Sequence, residues 1–334
     1  MSVIPSKNPG SLSKEYLNEQ HLPLVIKQEN EGQTLIEWME ENKLNFNTEL
    51  ANYGAILFRG FKIDADAKFE NFMKCFNTEP LPYMFRSSPR AELNKNIKNI
   101  YLSTTYPNDR SIRLHNETSY SRIWGIKIIF CCIQPADNGG ETPIADSRKV
   151  LQDIPVELRE KFRSKGVKYV RHLFPQFGMQ WPEVFQTSVK AEAQAICSKF
   201  NIDINFLNEN QAIISWVKPA IYNHPDTKEE TWFNHIYFFN KYSLFEEIGL
   251  SKDDFLPQDM LPSNTYFGDG SEISFEEYES LKKAYDKNTV SFSYEKGDVL
   301  FLDNMLVAHG RNPFEGKRVI ATAIIEAFGD SDIK

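Results

Sequence analysis

Residues 112–120 read IRLHNETSY, and this short stretch is the most informative part of the chain. Apolar and polar side chains alternate along it as on a β-strand, where residues i and i+2 project from the same face. His115 and Glu117 are therefore expected side by side, where an imidazole and a carboxylate can bind one metal ion. With six histidines and 46 acidic residues in the chain, about one such pair is expected by chance, so the pair needs further support.

A second histidine supplies a candidate third ligand. His309 follows the apolar strand VLFLDNMLVA (299–308) and precedes Gly310, which indicates a strand end or a turn. Two histidines and one carboxylate leave three open positions on an octahedral ion, the arrangement diagnostic of non-haem Fe(II) oxygenases. The same donors suit zinc, so a zinc hydrolase stays open as an alternative. His224, in the turn NHPDTKEE, is predicted to be a solvated loop histidine.

The residues that flank these histidines point to an anion. Arg318 comes nine residues after His309 and opens the next predicted strand. An inward-facing arginine on a strand is costly unless it meets an anion, and its planar fork suits a carboxylate. Thr142 follows the pair Gly139–Gly140 and could donate its hydroxyl to the same carboxylate. A metal site next to a carboxylate site is the hypothesis that these residues support.

Composition indicates an ordinary globular protein and excludes several classes of partner. The chain has 334 residues, of which 41% are hydrophobic and 25% charged, and its formal charge is −8. This acidic balance disfavours phosphate backbones and anionic membranes, so neither nucleic acid nor a membrane is expected as a partner. No uncharged apolar run approaches the roughly 18 residues that a spanning helix needs. The sequence leaves the oligomeric state open.

The cysteines and the N-terminus indicate the compartment. Cys75, Cys131, Cys132 and Cys197 show no Cys-x-x-Cys spacing, which favours buried, reduced thiols in a cytosolic protein. The first residues, MSVIPSKNPGSLSKEY, contain no apolar stretch typical of a signal peptide. A soluble cytoplasmic protein is therefore predicted.

The hydrophobic pattern predicts one main domain. Residues 1–33 are expected to form an arm on the surface, so that residues 1–49 comprise this arm and a helix. Residues 50–330 are expected to form a single domain with strands early and late and a helix-containing insertion near 150–290. The predicted helices are Thr34–Lys43, Lys68–Asn77, Pro155–Ser164, Val189–Phe200 and Ser274–Lys287.

Three stretches resemble a known family. LHNETSY (114–120), WGIKIIFCCIQPADNGGETPIADSRKV (124–150) and FLDNMLVAHGRNPFEGKR (301–318) are similar to the taurine dioxygenase (TauD/TfdA) family of Fe(II)/2-oxoglutarate oxygenases. The similarity is nearest to the syringomycin-type amino-acid hydroxylases and covers roughly residues 50–328. It implies a mainly β fold with helical insertions, the double-stranded β-helix or jelly roll.

The resemblance also implies roles for individual residues. His115, Glu117 and His309 match the iron ligands of the family. Arg318 matches the arginine that pairs with the distal carboxylate of 2-oxoglutarate, and Thr142 matches the threonine that assists it. Better-known members carry Asp where this chain has Glu117, but Glu occurs in the amino-acid hydroxylase branch. A carboxylate at this position argues against an iron halogenase, which has Gly or Ala there.

The activity that the resemblance implies is hydroxylation of an unactivated C–H bond, with O2 consumed and succinate and CO2 released. The substrate is expected to be an amino acid or an amino-acid-derived group, either as a small molecule or bound to a carrier protein. A non-catalytic jelly-roll binding protein remains a further alternative, besides the zinc hydrolase.

Several polar residues near these motifs are weaker candidates for contact with substrate. Ser103–Thr105 precede the His115 strand, Lys127 interrupts the apolar run GIKIIF, and Arg311 lies two residues beyond His309. Asn234 lies in WFNHIYFF, a stretch that also resembles the family. The candidates are Ser103, Thr104, Thr105, Lys127, Asn234 and Arg311.

Overall fold

The computed structural model describes residues 12–30, 32–76, 78–82, 91–93, 98–103, 106–177 and 179–332. Within these ranges strands and helices occur in similar proportion, so the fold is less dominated by strands than the sequence analysis predicted. The strands are β1 Leu12–Tyr16, β2 Leu24–Gln28, β3 Ala55–Arg59, β4 Tyr101–Leu102, β5 Ile112–His115, β6 Ile123–Gln134, β7 Asn138–Gly139, β8 Ile144–Asp146, β9 Val167–Leu173, β10 Asp203–Phe206, β11 Ala212–Lys218, β12 Ile221–Asn223, β13 Glu230–Trp232, β14 Ser263–Phe267, β15 Thr289–Val290, β16 Val299–Asp303, β17 Val307–Arg311, β18 Phe314–Glu315 and β19 Val319–Gly329. The helices are α1 Leu35–Tyr53, α2 Asp66–Met73, α3 Ser147–Asp153, α4 Val156–Lys165, α5 Trp181–Phe185, α6 Lys190–Lys199, α7 Ile236–Phe239, α8 Lys241–Ile248 and α9 Phe275–Asn288.

Two sheets form the centre of the molecule. The larger has the strand order β1-β2-β3-β16-β6-β19-β4, and the smaller has the order β15-β8-β17-β5. Apolar side chains of both sheets pack in one buried cluster, including Phe130 and Leu300 from the larger sheet and Ile144 and Val307 from the smaller. In the smaller sheet, His309 on β17 lies directly opposite His115 on β5.

The predicted insertion contributes a third sheet, of order β10-β11-β9-β14, together with α4 to α9. Its apolar side chains pack with those of β5 and β8 in a second large cluster, which includes Leu114 and Ala145. This packing fixes the segment around α7 and α8 against the strand that carries His115.

The helix predictions hold where the sequence carries boundary signals. Helices α4, α6 and α9 agree with the prediction to within one residue at each end. Helix α1 is longer than predicted, because it continues to Gly54, whose left-handed φ of 74° ends it. The sequence missed α3, α5, α7 and α8, each of eight residues or fewer, because so short a helix shows little periodicity.

The prediction of a surface arm over residues 1–33 is wrong for its described second half. Strand β2 pairs in parallel with β3 inside the larger sheet, and Leu24, Val25 and Ile26 are at most 2% exposed. The apolar run LPLVI is short, but it covers the edge of β3 and so removes apolar surface from water. Among the described residues, no helix is long and apolar enough to cross a membrane.

Candidate active site

Three side chains that the sequence singled out come together between the two central sheets. His115 ends β5, His309 lies opposite it on β17, and Glu117 follows two residues after His115. Their ligand atoms all lie within 4.8 Å of one another. Glu117 Oε2 is 3.8 Å from His115 Nε2 and 3.6 Å from His309 Nε2, and all three residues are buried.

The chemistry of this donor set fits a divalent metal. His115 Nδ1 donates a hydrogen bond of 2.8 Å to the carbonyl oxygen of Arg113, which leaves Nε2 as the electron-pair donor facing Glu117. Burial raises the pKa of Glu117 to about 8, because the charged carboxylate is removed from water. A cation at this point would compensate that charge. Two imidazoles and one carboxylate are the donors of the 2-His-1-carboxylate site.

The three side chains open into a cavity of about 550 Å³. Arg318, which directly precedes β19, lines this cavity with Thr142. Its Nε donates to the carbonyl oxygen of Gly140 at 2.8 Å, and its Nη1 donates to Ser103 Oγ at 3.2 Å. Within the described part of the chain Arg318 forms no ion pair, and burial lowers its pKa. A buried guanidinium without a carboxylate is suited to an anionic ligand.

Some of the weaker substrate candidates line the cavity and others do not. Ser103 lines the cavity and is bonded to Arg318, whereas Thr104 and Thr105 lie outside the described residues. Arg311 also lines the cavity, together with His309, and is 3% exposed. Its guanidinium donates to the carbonyl oxygens of the loop before β5, namely those of Tyr106, Pro107 and Arg110.

Two other candidates do not line the cavity. Lys127 forms an ion pair with Glu326 on the neighbouring strand β19, with Nζ 2.6 Å from Oε1. Asn234 is buried, donates to the carbonyl oxygen of Ala220 at 2.9 Å and accepts from the N–H of Ile236 at 3.1 Å. Both side chains therefore serve the packing of the fold, and neither is offered to a ligand in the cavity.

Charged residues that the sequence analysis missed line the cavity, among them Arg110, Arg113 and Glu247. Arg113 Nη2 lies 2.7 Å from Glu246, and Arg110 Nη1 lies 2.8 Å from Glu247. Arg113 could have been recognised, because it lies two residues before His115 on the same strand and lines the cavity with it. The two glutamates come from α8, more than 130 positions away, and no local signal links them to β5.

His235, which belongs to the same family-like stretch WFNHIYFF as Asn234, lies beside the three candidate metal ligands. Its ring centroid lies 5.2 Å from that of His115, and its Nδ1 lies 3.0 Å from Ser119 Oγ. Burial holds the pKa of His235 well below its usual range, and the neighbouring His115 lowers it further.

The prediction that His224 is a solvated loop histidine is wrong. His224 is 1% exposed, and its Nε2 lies 2.9 Å from Asp303 Oδ2. Its Nδ1 accepts from the backbone N–H groups of Asp226 and Thr227, so Nε2 carries the proton that is donated to Asp303. The Pro–Asp turn correctly predicts the loop, but not that the loop folds inward onto the turn between β16 and β17.

Comparison with known proteins assigns the family. The model of the "Taurine catabolism dioxygenase TauD, TfdA family" matches residues 20–323. The dapdiamide synthesis protein DdaC of Enterobacter agglomerans is 37% identical over 277 residues, which are 83% of this chain and 83% of that protein. The clavaminate synthase-like protein At3g21360 of Arabidopsis thaliana is 26% identical over 280 residues, 80% of this chain and 81% of that protein.

Solved structures share the fold at low sequence identity. PvcB from Pseudomonas aeruginosa superimposes with a TM-score of 0.55 at 15% identity, over 100% of this chain and 99% of that chain. A taurine dioxygenase from Burkholderia xenovorans gives a TM-score of 0.53 at 13% identity, over 96% and 92% of the two chains. Since the family model spans most of the sequence and a relative is 37% identical across the same region, the chain belongs to the TauD/TfdA family of Fe(II)/2-oxoglutarate-dependent dioxygenases.

Proposed function

We propose that this dioxygenase hydroxylates an unactivated C–H bond of an amino acid or an amino-acid-derived group, with release of succinate and CO2. The observation that carries the proposal is the position of the His115, Glu117 and His309 donors in a cavity that also holds the guanidinium of Arg318. We also propose that the two central sheets form the double-stranded β-helix, or jelly roll, that the family resemblance implies.

His115, Glu117 and His309 would hold the iron. Fe(II), with 2-oxoglutarate and dioxygen, supplies the oxidising power that an unactivated C–H bond requires. Arg318 would bind the distal carboxylate of 2-oxoglutarate with two parallel N–H groups, and the Thr142 hydroxyl would donate to the same group. The apolar walls of the two sheets would keep water from the reacting centre.

The charged outer wall of the cavity supports an amino-acid substrate. Arg110, Arg113 and Glu247 line the cavity there, so both an ammonium and a carboxylate group would find a partner of opposite charge. The name of the 37% identical relative refers to dapdiamide synthesis, which supports a role in a biosynthetic process. The proposal covers a free amino acid and a carrier-protein-bound aminoacyl group, which differ in whether the carboxylate is free to meet an arginine.

The reaction is tested by succinate formation with Fe(II), ascorbate and 2-oxoglutarate across the common amino acids. Succinate that depends on oxygen and rises with one substrate supports the proposal, and product made under ¹⁸O₂ should carry the heavy isotope. Turnover under strict anaerobiosis, or hydrolysis supported by zinc in place of iron, would instead favour the zinc hydrolase. Absence of metal binding would favour the binding protein.

The cosubstrate site is tested by Arg318→Leu. The substitution removes a charge-assisted contact worth about 2–4 kcal/mol, so 2-oxoglutarate affinity should fall about 30-fold to several hundred-fold. Calorimetry on the Mn(II)-loaded protein measures this, and the Mn(II) affinity itself should change little. Thr142→Val should give a smaller loss of the same kind.

The matched control is Arg159→Leu, a partly buried arginine on α4 that pairs with Glu160. It should leave 2-oxoglutarate affinity at the wild-type value. Unchanged cosubstrate affinity in the Arg318 variant would contradict the assignment.

A further inference from the structure

The three proposed ligands are held in place by different means. Antiparallel pairing of β5 with β17 sets His115 opposite His309, so the sheet itself fixes the two imidazoles. Strand β5 ends at His115, and Glu117 lies in the turn that follows. The sheet ladder therefore does not determine where the carboxylate points.

One side-chain amide takes the place of a strand partner at Glu117. Asn304 Oδ1 accepts from the N–H of Glu117 at 2.7 Å, and Asn304 Nδ2 donates to the carbonyl oxygen of the same residue at 2.9 Å. Nδ2 also donates to the carbonyl oxygen of Gly125 on β6 at 2.9 Å. Asn304 is fully buried, so these bonds do not compete with water.

The backbone at this point is strained. Thr118 directly follows Glu117 and has a φ of +53°, in the left-handed region that disfavours a β-branched residue. Such a conformation costs of the order of 1–3 kcal/mol and persists only where neighbouring contacts determine it. The neighbouring contacts here include the Asn304 amide and the bond of 2.7 Å from Asn116 Nδ2 to the Asn304 carbonyl oxygen.

The position of Asn304 is itself fixed by the turn between β16 and β17. Asp303 Oδ1 accepts from the N–H groups of Met305 and Leu306, at 3.0 and 3.1 Å. Its other oxygen, Oδ2, accepts from His224 Nε2 at 2.9 Å. A rigid turn thus lies five residues before His309, in the same chain segment as that ligand.

We infer that Asn304 is the positioning residue of the metal centre. Its amide clamps the backbone of Glu117, so that the carboxylate is aimed at His115 and His309 before any metal binds. The inference rests on the proposed metal-binding role of these three residues. It assigns Asn304 no contact with metal, cosubstrate or substrate.

The test is metal binding by Asn304→Ala. Loss of a residue that orients a ligand typically lowers metal affinity 10- to 100-fold, and Mn(II) affinity measured by calorimetry should fall by that factor. The visible d–d absorption of the Co(II)-loaded protein should also change, because one ligand is no longer held in a single orientation. The Mn(II) affinity of Asn304→Asp should fall at least as far, because a carboxylate oxygen would then face the carbonyl oxygens of Glu117 and Gly125.

The matched control is Asn288→Ala, which removes another buried amide; it donates to the carbonyl oxygen of Ala284 and does not line the cavity. In the metal-free proteins, the Tm of both Ala variants should fall by a similar amount, whereas only the Asn304 variant should lose Mn(II) affinity. If Asn304→Ala fails to fold, the double variant Thr118→Gly/Asn304→Ala relieves the left-handed strain. It should fold and still bind Mn(II) 10- to 100-fold more weakly.

Wild-type Mn(II) affinity and an unaltered Co(II) spectrum in folded Asn304→Ala would overturn the inference. The proposed function fails in a different way. If His115→Ala and His309→Ala bind Mn(II) as tightly as the wild type, the three-residue site itself is wrong, whatever the Asn304 variants do.

Discussion

At the residue scale, the proposed ligand Glu117 should couple metal binding to the release of protons. Its pKa of about 8 in the metal-free protein means that the carboxyl is mostly protonated at pH 7, and the proton must leave before a metal binds. Mn(II) affinity should therefore rise with pH up to about 8 and then level off. Below pH 8, deprotonation of Glu117 should raise the Mn(II) affinity by up to about tenfold per pH unit.

Calorimetry in buffers of different ionisation enthalpy counts the protons released. The wild type should release about one more proton per Mn(II) at pH 7 than Glu117→Gln, which binds more weakly but has no carboxyl to titrate. If the two proteins release the same number of protons per Mn(II), the buried Glu117 carboxyl is not the source of the pH dependence.

At the scale of elements, the turn between β16 and β17 depends on a loop far away in sequence. His224→Ala removes the hydrogen bond to buried Asp303 and should lower the free energy of unfolding by about 2–3 kcal/mol. Urea denaturation measures this loss. His172→Ala on β9 is the control, because His172 is partly exposed and its Nδ1 is hydrogen-bonded to the backbone carbonyl oxygen of Leu261. The free energy of unfolding of this variant should fall by less than about 1 kcal/mol. Equal losses in the two variants would remove any special role for the His224–Asp303 pair.

At the scale of the whole molecule, the proposed ligands link the two central sheets. The histidines belong to the smaller sheet, whereas Arg318 precedes β19 of the larger. A ligand at 100 times its Kd stabilises the folded state by about 2.7 kcal/mol, so Mn(II) with 2-oxoglutarate should raise Tm by several degrees. Arg318→Leu should retain the increase due to Mn(II) and lose most of that due to 2-oxoglutarate. If 2-oxoglutarate still raises the Tm of this variant by the wild-type amount, Arg318 does not bind the cosubstrate between the two sheets.

Much of the architecture follows from local signals. The apolar strand before His309 and the capping box of α9 are local signals that act over a few residues. The prediction that His115 and Glu117 share one strand face is wrong in its reason, because β5 ends at His115 and Glu117 lies in the turn that follows. The structure brings together the three predicted ligands, and the family comparison confirms the enzyme class. That these residues bind iron stays a prediction.

Only the tertiary structure decided which partners the buried polar side chains take. Glu117 and Asn304 are 187 positions apart, His224 and Asp303 are 79 apart, and Lys127 and Glu326 are 199 apart. No periodicity spans such distances, because a buried polar side chain takes whichever partner the packed sheets bring to it. The sequence by itself predicted which side chains would come together, since each motif that carries them is local. Only the folded chain decided how they are aimed, since that depends on contacts between strands far apart in sequence.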